Sequence, residues 1–192
     1  TRRWNVAPGG TITVNLTGLT TEGQFLAREA LNLWTDVTGI NFSEITTSAQ
    51  ITFDDNESGA FAGGSTSNGF FTGNSRVNVS TDWLTNYGTT LNTYSFQTYI
   101  HEIGHALGLG HQGFYNLVGD FGADREFDND SWQSSMMSYF AQTENFHVVA
   151  DLALLQSPMA VDWMALDDLY AGQGFGVANA FTDDTVWGFN TT

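Results

Sequence analysis

The chain has 192 residues, of which 41% are hydrophobic and 14% aromatic, enough for a substantial folded core and too apolar for intrinsic disorder. Its 21 acidic residues outnumber 5 basic ones, and the resulting formal charge of −16 would repel nucleic acid and anionic membranes. Cysteine is absent, which excludes disulfide bonds and a thiol nucleophile and leaves histidine, carboxylate and tyrosine as metal ligands.

The first 110 residues mix strand and helix patterns. Alternating apolar residues predict a strand over residues 11–16, and an apolar face at helical spacing predicts a helix over 21–38, stopped by Gly39. Short strand-like runs separated by turn-forming residues follow at 40–45, 51–54 and 76–80. This alternation predicts an α+β fold, with a twisted sheet backed by helices.

Two stretches of the chain separate the clearer strand and helix patterns. Residues 57–73 are rich in Gly, Ser and Asn and contain a small extended piece, Ala60-Phe61-Ala62, a weak strand of the kind found at sheet edges. Residues 112–157 show little periodicity and are predicted to be irregular, and such long segments in compact domains are usually functional. Ser157 and Pro158 are then predicted to begin a last helix that ends at Gly172.

The sequence HEIGHALGLGH at positions 101–111 contains three of the four histidines in the chain. Residues 92–107 have one apolar face, which predicts a helix with His101 and His105 on the other side, one turn apart. Two imidazoles at that spacing can bind one metal ion, and Glu102 beside them can reach a water on that metal. The spacing therefore predicts a metal site on this helix.

The glycines of the same motif predict a third ligand. Gly108 can adopt the left-handed conformation that ends a helix, and the turn can return His111 to the metal. Three neutral imidazoles leave one open position on a tetrahedral zinc ion, the arrangement of a catalytic site. HExxH alone also occurs on solvated helix faces, but the five fixed positions of HExxHxxGxxH make a chance match rare, roughly one chain in ten thousand.

With these residues the chain resembles the metzincin metallopeptidases and, among them, the serralysin family. HEIGHALGL at 101–109 is very close to the serralysin zinc helix, and SSMMSYF at 134–140 is similar to the serralysin Met-turn. The stretches PMAVDWMALDDLYAG and DDTVWGFN also resemble the end of a serralysin catalytic domain. The resemblance covers most of the chain and is strongest from 96 to 140.

The resemblance implies roles for residues outside the histidine motif. It makes Met137 the apolar pad under the zinc and Tyr139 a residue that reaches the zinc and can swing away. Each of the two could instead be an ordinary packed side chain. The resemblance also places the substrate, in extended form, along the edge strand Ala60-Phe61-Ala62.

Two features differ from the serralysin pattern. Gln112 stands where serralysins usually have proline after the third histidine, a change that concerns the loop rather than metal ligation. The GGxGxD repeats of a calcium-binding β-roll are missing. The chain is therefore expected to be a fragment, a processed form or a family member without the roll.

Other candidate ligands are weaker. His147 lies outside every motif and is predicted to be a surface or loop histidine. Four carboxylates of the irregular segment could offer oxygen ligands to Ca²⁺, but their spacing matches no EF-hand loop and favours a solvated loop: Asp120, Asp124, Asp128 and Asp130.

The predicted architecture is an α+β, metzincin-type, two-lobed zinc peptidase domain, with a twisted, mostly parallel sheet, helices and a smaller irregular C-terminal lobe. We expect a single catalytic domain over residues 1–192. Its N-terminal lobe with the zinc helix would span 1–110, and its C-terminal lobe with the Met-turn and last helix would span 111–172. A junction-like tail would span 173–192.

The expected function is a secreted, extracellular zinc endopeptidase with one catalytic Zn²⁺, calcium remaining an open second cofactor. Glu102 would be the general base for a zinc-activated water, and the zinc, helped by Tyr139, would stabilise the oxyanion. Expected partners are protein or peptide substrates and a proteinaceous inhibitor, for a monomer that binds neither nucleic acid nor membrane. Two alternatives stay open: a zinc-containing peptide-binding module without turnover, and another metal-dependent hydrolase.

Overall fold

A five-stranded sheet with the order β2-β1-β3-β5-β4 forms the centre of the computed structural model, which describes residues 2–177. Strands β1, β2, β3 and β5 run parallel, whereas β4 is antiparallel to β5 and lies at one edge. The sheet is therefore mostly parallel, as predicted. The strand bounds are β1 Thr11–Gly18, β2 Asn41–Glu44, β3 Ile51–Asp54, β4 Ala60–Ser67 and β5 Phe70–Val79.

Helices α1 and α3 pack against each other and share one apolar core with the sheet. The indole Nε1 of Trp34 on α1 donates to the carbonyl of Ile100 on α3 at 3.0 Å, which fixes the two helices relative to each other. No described helix combines the length and apolarity needed to cross a bilayer. The helix bounds are α1 Thr21–Thr38, α2 Thr81–Tyr87, α3 Tyr94–Leu107, α4 Phe121–Asp124 and α5 Ala160–Tyr170.

Strands β4 and β5 form a hairpin, and the weak edge strand predicted at Ala60-Phe61-Ala62 is the start of the longer strand β4. Only Asn68 and Gly69 connect the two strands, and both have positive φ, 51° and 80°, as a type I′ turn requires. Asn-Gly is a strong hairpin signal, but the Gly and Ser residues around it have low strand propensity. Hydrogen bonding to β5 along the whole of β4 stabilises the strand despite the low strand propensity of its residues.

Two helices also differ from the sequence-based expectations. Helix α2 has no predicted counterpart, because its seven residues are too few to show a clear helical period. Helix α5 begins at Ala160 rather than Pro158, because the Asp162 carboxylate accepts the Met159 N–H at 2.7 Å and caps the helix there. The predicted tail spans residues 173–192, and its part from position 178 onward lies outside the described residues.

Helix α3 ends in the glycine turn that the sequence predicts. Gly108 has a φ of +116°, and a Cβ at this position would overlap the carbonyl oxygen of Arg2. Side chains from both ends of the described chain satisfy carbonyls of the last helical turn, the Trp4 indole at 2.9 Å and the Tyr170 hydroxyl at 2.7 Å. Both the backbone angle and the available space therefore require glycine at position 108.

Gly108→Ala is expected to lower the free energy of unfolding by more than about 2 kcal/mol, because alanine must adopt a positive φ and displace the Arg2 backbone. Urea denaturation measures the change. Gly110→Ala is the matched control, since a Cβ there would meet nothing within 4 Å, and its effect is expected to stay within about 0.5 kcal/mol. Equal stabilities of the two variants would contradict this account of the turn.

Candidate metal centre

Three histidines converge at the end of α3. His101 and His105 lie one turn apart on the helix, and the turn at Gly108 brings His111 back to them. The Nε2 atoms of His105 and His111 are 3.0 Å apart, and one ring nitrogen from each of the three residues lies within 4.8 Å of the others. In the part of the chain that the structure describes, no other group of His, Asp or Glu side chains forms such a cluster.

Each imidazole is held by a backbone carbonyl on its outer nitrogen. The Nδ1 atoms contact three different carbonyl oxygens at 2.9, 2.9 and 3.0 Å. A carbonyl only accepts hydrogen bonds, so each Nδ1 carries the proton and each Nε2 presents its lone pair to the centre of the cluster. The pairs are His101 with Met136, His105 with Leu109 and His111 with Tyr115.

Burial keeps the three rings neutral. It lowers the pKa of His101 to about 4, and it also lowers the pKa values of His105 and His111. A histidine whose pKa lies below its ordinary value is deprotonated at neutral pH, which is the state a metal ligand needs.

The donor set fits zinc. With Nδ1 protonated on both rings, the facing Nε2 atoms of His105 and His111 are two acceptors in contact, and their lone pairs repel unless a cation lies between them. Zinc–nitrogen bonds of 2.0–2.1 Å in a tetrahedral site separate two nitrogens by about 3.3 Å. The observed 3.0 Å spacing is close to that value.

Glu102 lies beside this cluster and is buried. Its Oε2 atom has no hydrogen-bond partner among residues 2–177, although the residue is only 6% exposed. Burial raises the pKa of the Glu102 carboxyl to about 8. The carboxyl group is therefore poised to exchange a proton near neutral pH.

The Met-turn lies directly under α3. Met137 is buried, and a Cβ on Gly104 would come within 2.6 Å of its sulfur, so the thioether packs against the helix backbone between the two histidines. The same turn orients a ligand, because the Met136 carbonyl is the one that accepts from His101.

Asp162 fixes the Met-turn from α5, a contact that the sequence analysis missed. Its buried carboxylate accepts from the Ser135 hydroxyl at 2.6 Å and from the Met136 N–H at 2.8 Å. The Met136 peptide is thus held at its N–H by Asp162 and bonded at its carbonyl to His101. One sequence feature indicates this contact: the aspartate lies inside the apolar run PMAVDWMAL. Aspartate is almost never fully buried unless it is paired, so a partner is expected.

Tyr139 lies at the edge of the histidine cluster. Its ring centroid is 4.3 Å from that of His111 and 6.0 Å from that of His101. Burial raises the pKa of Tyr139, so the phenol keeps its proton at neutral pH and can donate it in a hydrogen bond.

A cavity of about 460 Å³ lies beside the cluster, and its lining includes His101, Glu102 and Tyr139. The wall is partly aromatic, and the rim carries two strongly exposed aliphatic side chains. These aromatic and aliphatic lining residues are Trp83, Tyr94, Trp132, Leu117 and Val118. The cavity is large enough for a bulky apolar side chain next to the metal centre.

The predicted substrate strand lies at the start of β4, and its three residues differ in position. Ala60 lines the cavity. Ala62 packs against the core, and Phe61 lies under the guanidinium of Arg76 at 5.3 Å. Of the three, only Ala60 lines the cavity.

His147 is separate from the metal cluster. It is a partly exposed histidine whose Nε2 lies 3.2 Å from Asp128, and it does not belong to the three-histidine group. Gln112, at the position where serralysins usually have proline, donates to the Ser134 hydroxyl at 3.2 Å and so ties its loop to the first residue of the Met-turn.

The acidic residues of the irregular segment do not form one solvated loop. Asp120 caps α4 by accepting from Ala123 N–H, and Asp128 is exposed and pairs with Arg125. Asp130, by contrast, has no exposed surface, so its prediction as a solvated residue is wrong. Its burial follows from contacts that are distant in sequence, above all the hydroxyl of Tyr115 at 2.9 Å.

Comparison with known proteins agrees with this geometry. Metallopeptidase AprA of Pseudomonas marginalis is 32% identical to the chain over 201 residues, covering 93% of the chain and 40% of the relative. Serralysin C of Dickeya chrysanthemi is 34% identical over 195 residues, covering 86% of the chain and 36% of the relative. The chain therefore spans well under half the length of these relatives.

Solved structures show the same fold. Myroilysin superposes with a TM-score of 0.55 at 16% identity, over 88% of this chain and 86% of that one. High choriolytic enzyme 1, a hatching enzyme zinc-protease from the medaka fish Oryzias latipes, superposes with a TM-score of 0.54 at 15% identity, over 88% and 94%. These similarities confirm the predicted α+β fold of metzincin type. Because the matrixin family of peptidases matches residues 13–116, more than half of the sequence, the chain belongs to that family.

Proposed function

We propose that the chain is a zinc-dependent endopeptidase that hydrolyses peptide bonds of proteins. The observation that carries this proposal is the convergence of three neutral imidazoles, each held at Nδ1 by a backbone carbonyl, beside the buried carboxyl of Glu102. Its membership of a peptidase family, together with its similarity to serralysins, supports the same activity.

His101, His105 and His111 would hold the zinc ion through Nε2. When bound in such a site, zinc lowers the pKa of water and polarises a carbonyl oxygen. The chain's contribution is to keep the three rings neutral and correctly oriented, which the carbonyl contacts and burial provide.

Glu102 would move the proton. Oε2, which has no partner among the described residues, accepts a proton from the attacking water and then returns it to the leaving amine. Burial raises the pKa of this carboxyl and so strengthens it as a proton acceptor, while a cation bound beside it would favour the ionised form that takes the proton.

Tyr139 would stabilise the tetrahedral intermediate. Its hydroxyl stays protonated because burial raises its pKa, and its ring lies against His111. Small adjustments of the side chain would let the hydroxyl donate a hydrogen bond to the oxyanion, a contact that exists only after the carbonyl has been attacked.

The substrate would lie along the outer edge of β4. An edge strand offers backbone groups that an extended peptide can pair with, and β4 is hydrogen-bonded to β5 on its other side. Ala60 lies where this edge meets the cavity, so a peptide paired there could place one side chain in the cavity, against the wall that includes Trp132 and Tyr94. Secretion, a monomeric state, a protein inhibitor, a calcium site and the division into lobes at residue 110 stay predictions.

Glu102→Gln is expected to lower kcat for casein hydrolysis by about 10²–10⁴-fold or more, because the general base is lost. Zinc content, measured by atomic absorption, should remain stoichiometric, since the three histidines are unchanged. Glu126→Gln, at an exposed glutamate, is the matched control and should keep wild-type turnover. Near-normal turnover in Glu102→Gln would refute the assignment of the base. A zinc-loaded wild type without any turnover would instead favour the binding module.

His111→Ala is expected to weaken zinc binding by more than the roughly 10–100-fold that loss of an outer-shell partner costs, because a direct ligand disappears. Competition with a chromophoric chelator gives the dissociation constant. His147→Ala is the control, since that histidine is outside the cluster, and it should leave the constant unchanged. Similar constants for both variants would exclude His111 as a ligand.

Tyr139→Phe is expected to lower kcat by about 10²–10³-fold with little change in KM, because the lost hydrogen bond forms only in the transition state. Tyr170→Phe provides the contrast: its buried hydroxyl bonds to the Leu107 carbonyl, so its loss should lower the melting temperature and leave kcat intact. If Tyr139→Phe behaves like Tyr170→Phe, then Tyr139 is a packing residue.

A further inference from the structure

The C-terminal segment contains a buried carboxylate that the proposed mechanism does not use. Asp130 has no exposed surface, its Oδ1 accepts from the Tyr115 hydroxyl at 2.9 Å, and its Oδ2 has no hydrogen-bond partner among the described residues. Burying a carboxylate with so few partners is costly, and packing alone does not account for it.

The partner of Asp130 contacts a metal-site histidine in two ways. The Tyr115 carbonyl accepts from His111 Nδ1 at 3.0 Å, and the Tyr115 ring stacks on the His111 ring, with centroids 5.3 Å apart and planes inclined by 18°. One residue therefore fixes both the in-plane direction of the imidazole and the tilt of its face.

The ring of Tyr115 is also in contact with the last two residues of the Met-turn. Its centroid is 5.0 Å from Tyr139 and 4.7 Å from Phe140. These contacts hold the ring from its faces and edges but cannot fix its outer end, because aromatic contacts have little directionality compared with a hydrogen bond. The hydroxyl end is fixed by hydrogen bonds: it donates to Asp130 and accepts from the Ser138 side chain and the Tyr139 backbone, and Asp130 is the one acceptor among these partners.

We propose that Asp130 is a positioning residue of the metal centre. Through Tyr115 it fixes the orientation of His111, and thereby the affinity and the coordination geometry of the zinc site. The proposal rests on the proposed role of His111 as a ligand. Partners in the outer shell of metal-binding histidines generally act in this way, with losses of about 10–100-fold in metal affinity when they are removed.

The test measures metal binding rather than turnover. Zinc dissociation constants are obtained by chelator competition, and the Co²⁺-substituted protein reports ligand geometry through its visible absorption spectrum. Asp130→Ala and Tyr115→Phe should each raise the zinc dissociation constant by about 10–100-fold and alter the cobalt spectrum. Asp130→Asn keeps a carbonyl oxygen that can accept from Tyr115 and should stay close to wild type in both readouts.

A double-mutant cycle separates positioning from general destabilisation. In a His111→Ala background, Asp130→Ala should change zinc affinity by less than threefold, because the histidine through which it acts is gone. Asp128→Ala, which removes an exposed carboxylate of the same segment, is the matched control and should leave both readouts unchanged. Circular dichroism checks the fold, and if Asp130→Ala does not fold, Tyr115→Phe decides.

Folded Asp130→Ala or Tyr115→Phe with wild-type zinc affinity and cobalt spectrum would overturn the proposal. Losses that persist in full in the His111→Ala background would overturn it as well. A protein that binds zinc with the expected coupling but cleaves no casein would refute the endopeptidase proposal and leave this one standing. If His111→Ala alone does not weaken zinc binding, the metal centre and this inference fail together.

Discussion

The metal centre depends on three hydrogen bonds from imidazole Nδ1 atoms to backbone carbonyls. They fix the tautomer of each ring, and they aim three Nε2 lone pairs at one point. The carbonyls belong to Leu109, Tyr115 and Met136, which lie in the glycine turn, the following loop and the Met-turn. The site is therefore assembled only when all three segments are in place, although two of its ligands share one helix.

Most of the surrounding structure can be understood as support for those carbonyls. Helix α3 is fixed on α1 by the Trp34 indole, and Gly108 turns the chain where a side chain would overlap the Arg2 backbone. Asp162 holds the Met136 peptide by its N–H, while Met137 packs against the helix at Gly104. Burial of the cluster then keeps the rings neutral, so electrostatics and geometry favour the same occupant, a divalent cation.

The ligands could be predicted from sequence because their spacing is local: His101 and His105 follow helical geometry, and Gly108 determines the return of His111. Helix α1 was predictable for the same reason. The full length of the hairpin β4–β5 was not, because pairing between the strands outweighs their low strand propensity. The start of α5 was not, because the Asp162 side chain caps Met159. The burial of Asp130 was not, because it depends on contacts such as that with Tyr115, 15 positions away. Asp162 was missed because its importance lies in the Met136 backbone that it holds, and Tyr115 because its own carbonyl and ring hold His111.

The central claim is that the three imidazoles, oriented by backbone carbonyls, bind one zinc ion through Nε2. The most direct measurement is an anomalous difference map from crystals of the zinc-loaded protein, collected at the zinc absorption edge. The account predicts a single strong peak about 2.0–2.1 Å from Nε2 of His101, His105 and His111, with all three Nδ1–carbonyl contacts intact. A peak bonded to Nδ1, or one with fewer than three of these histidines around it, would contradict it.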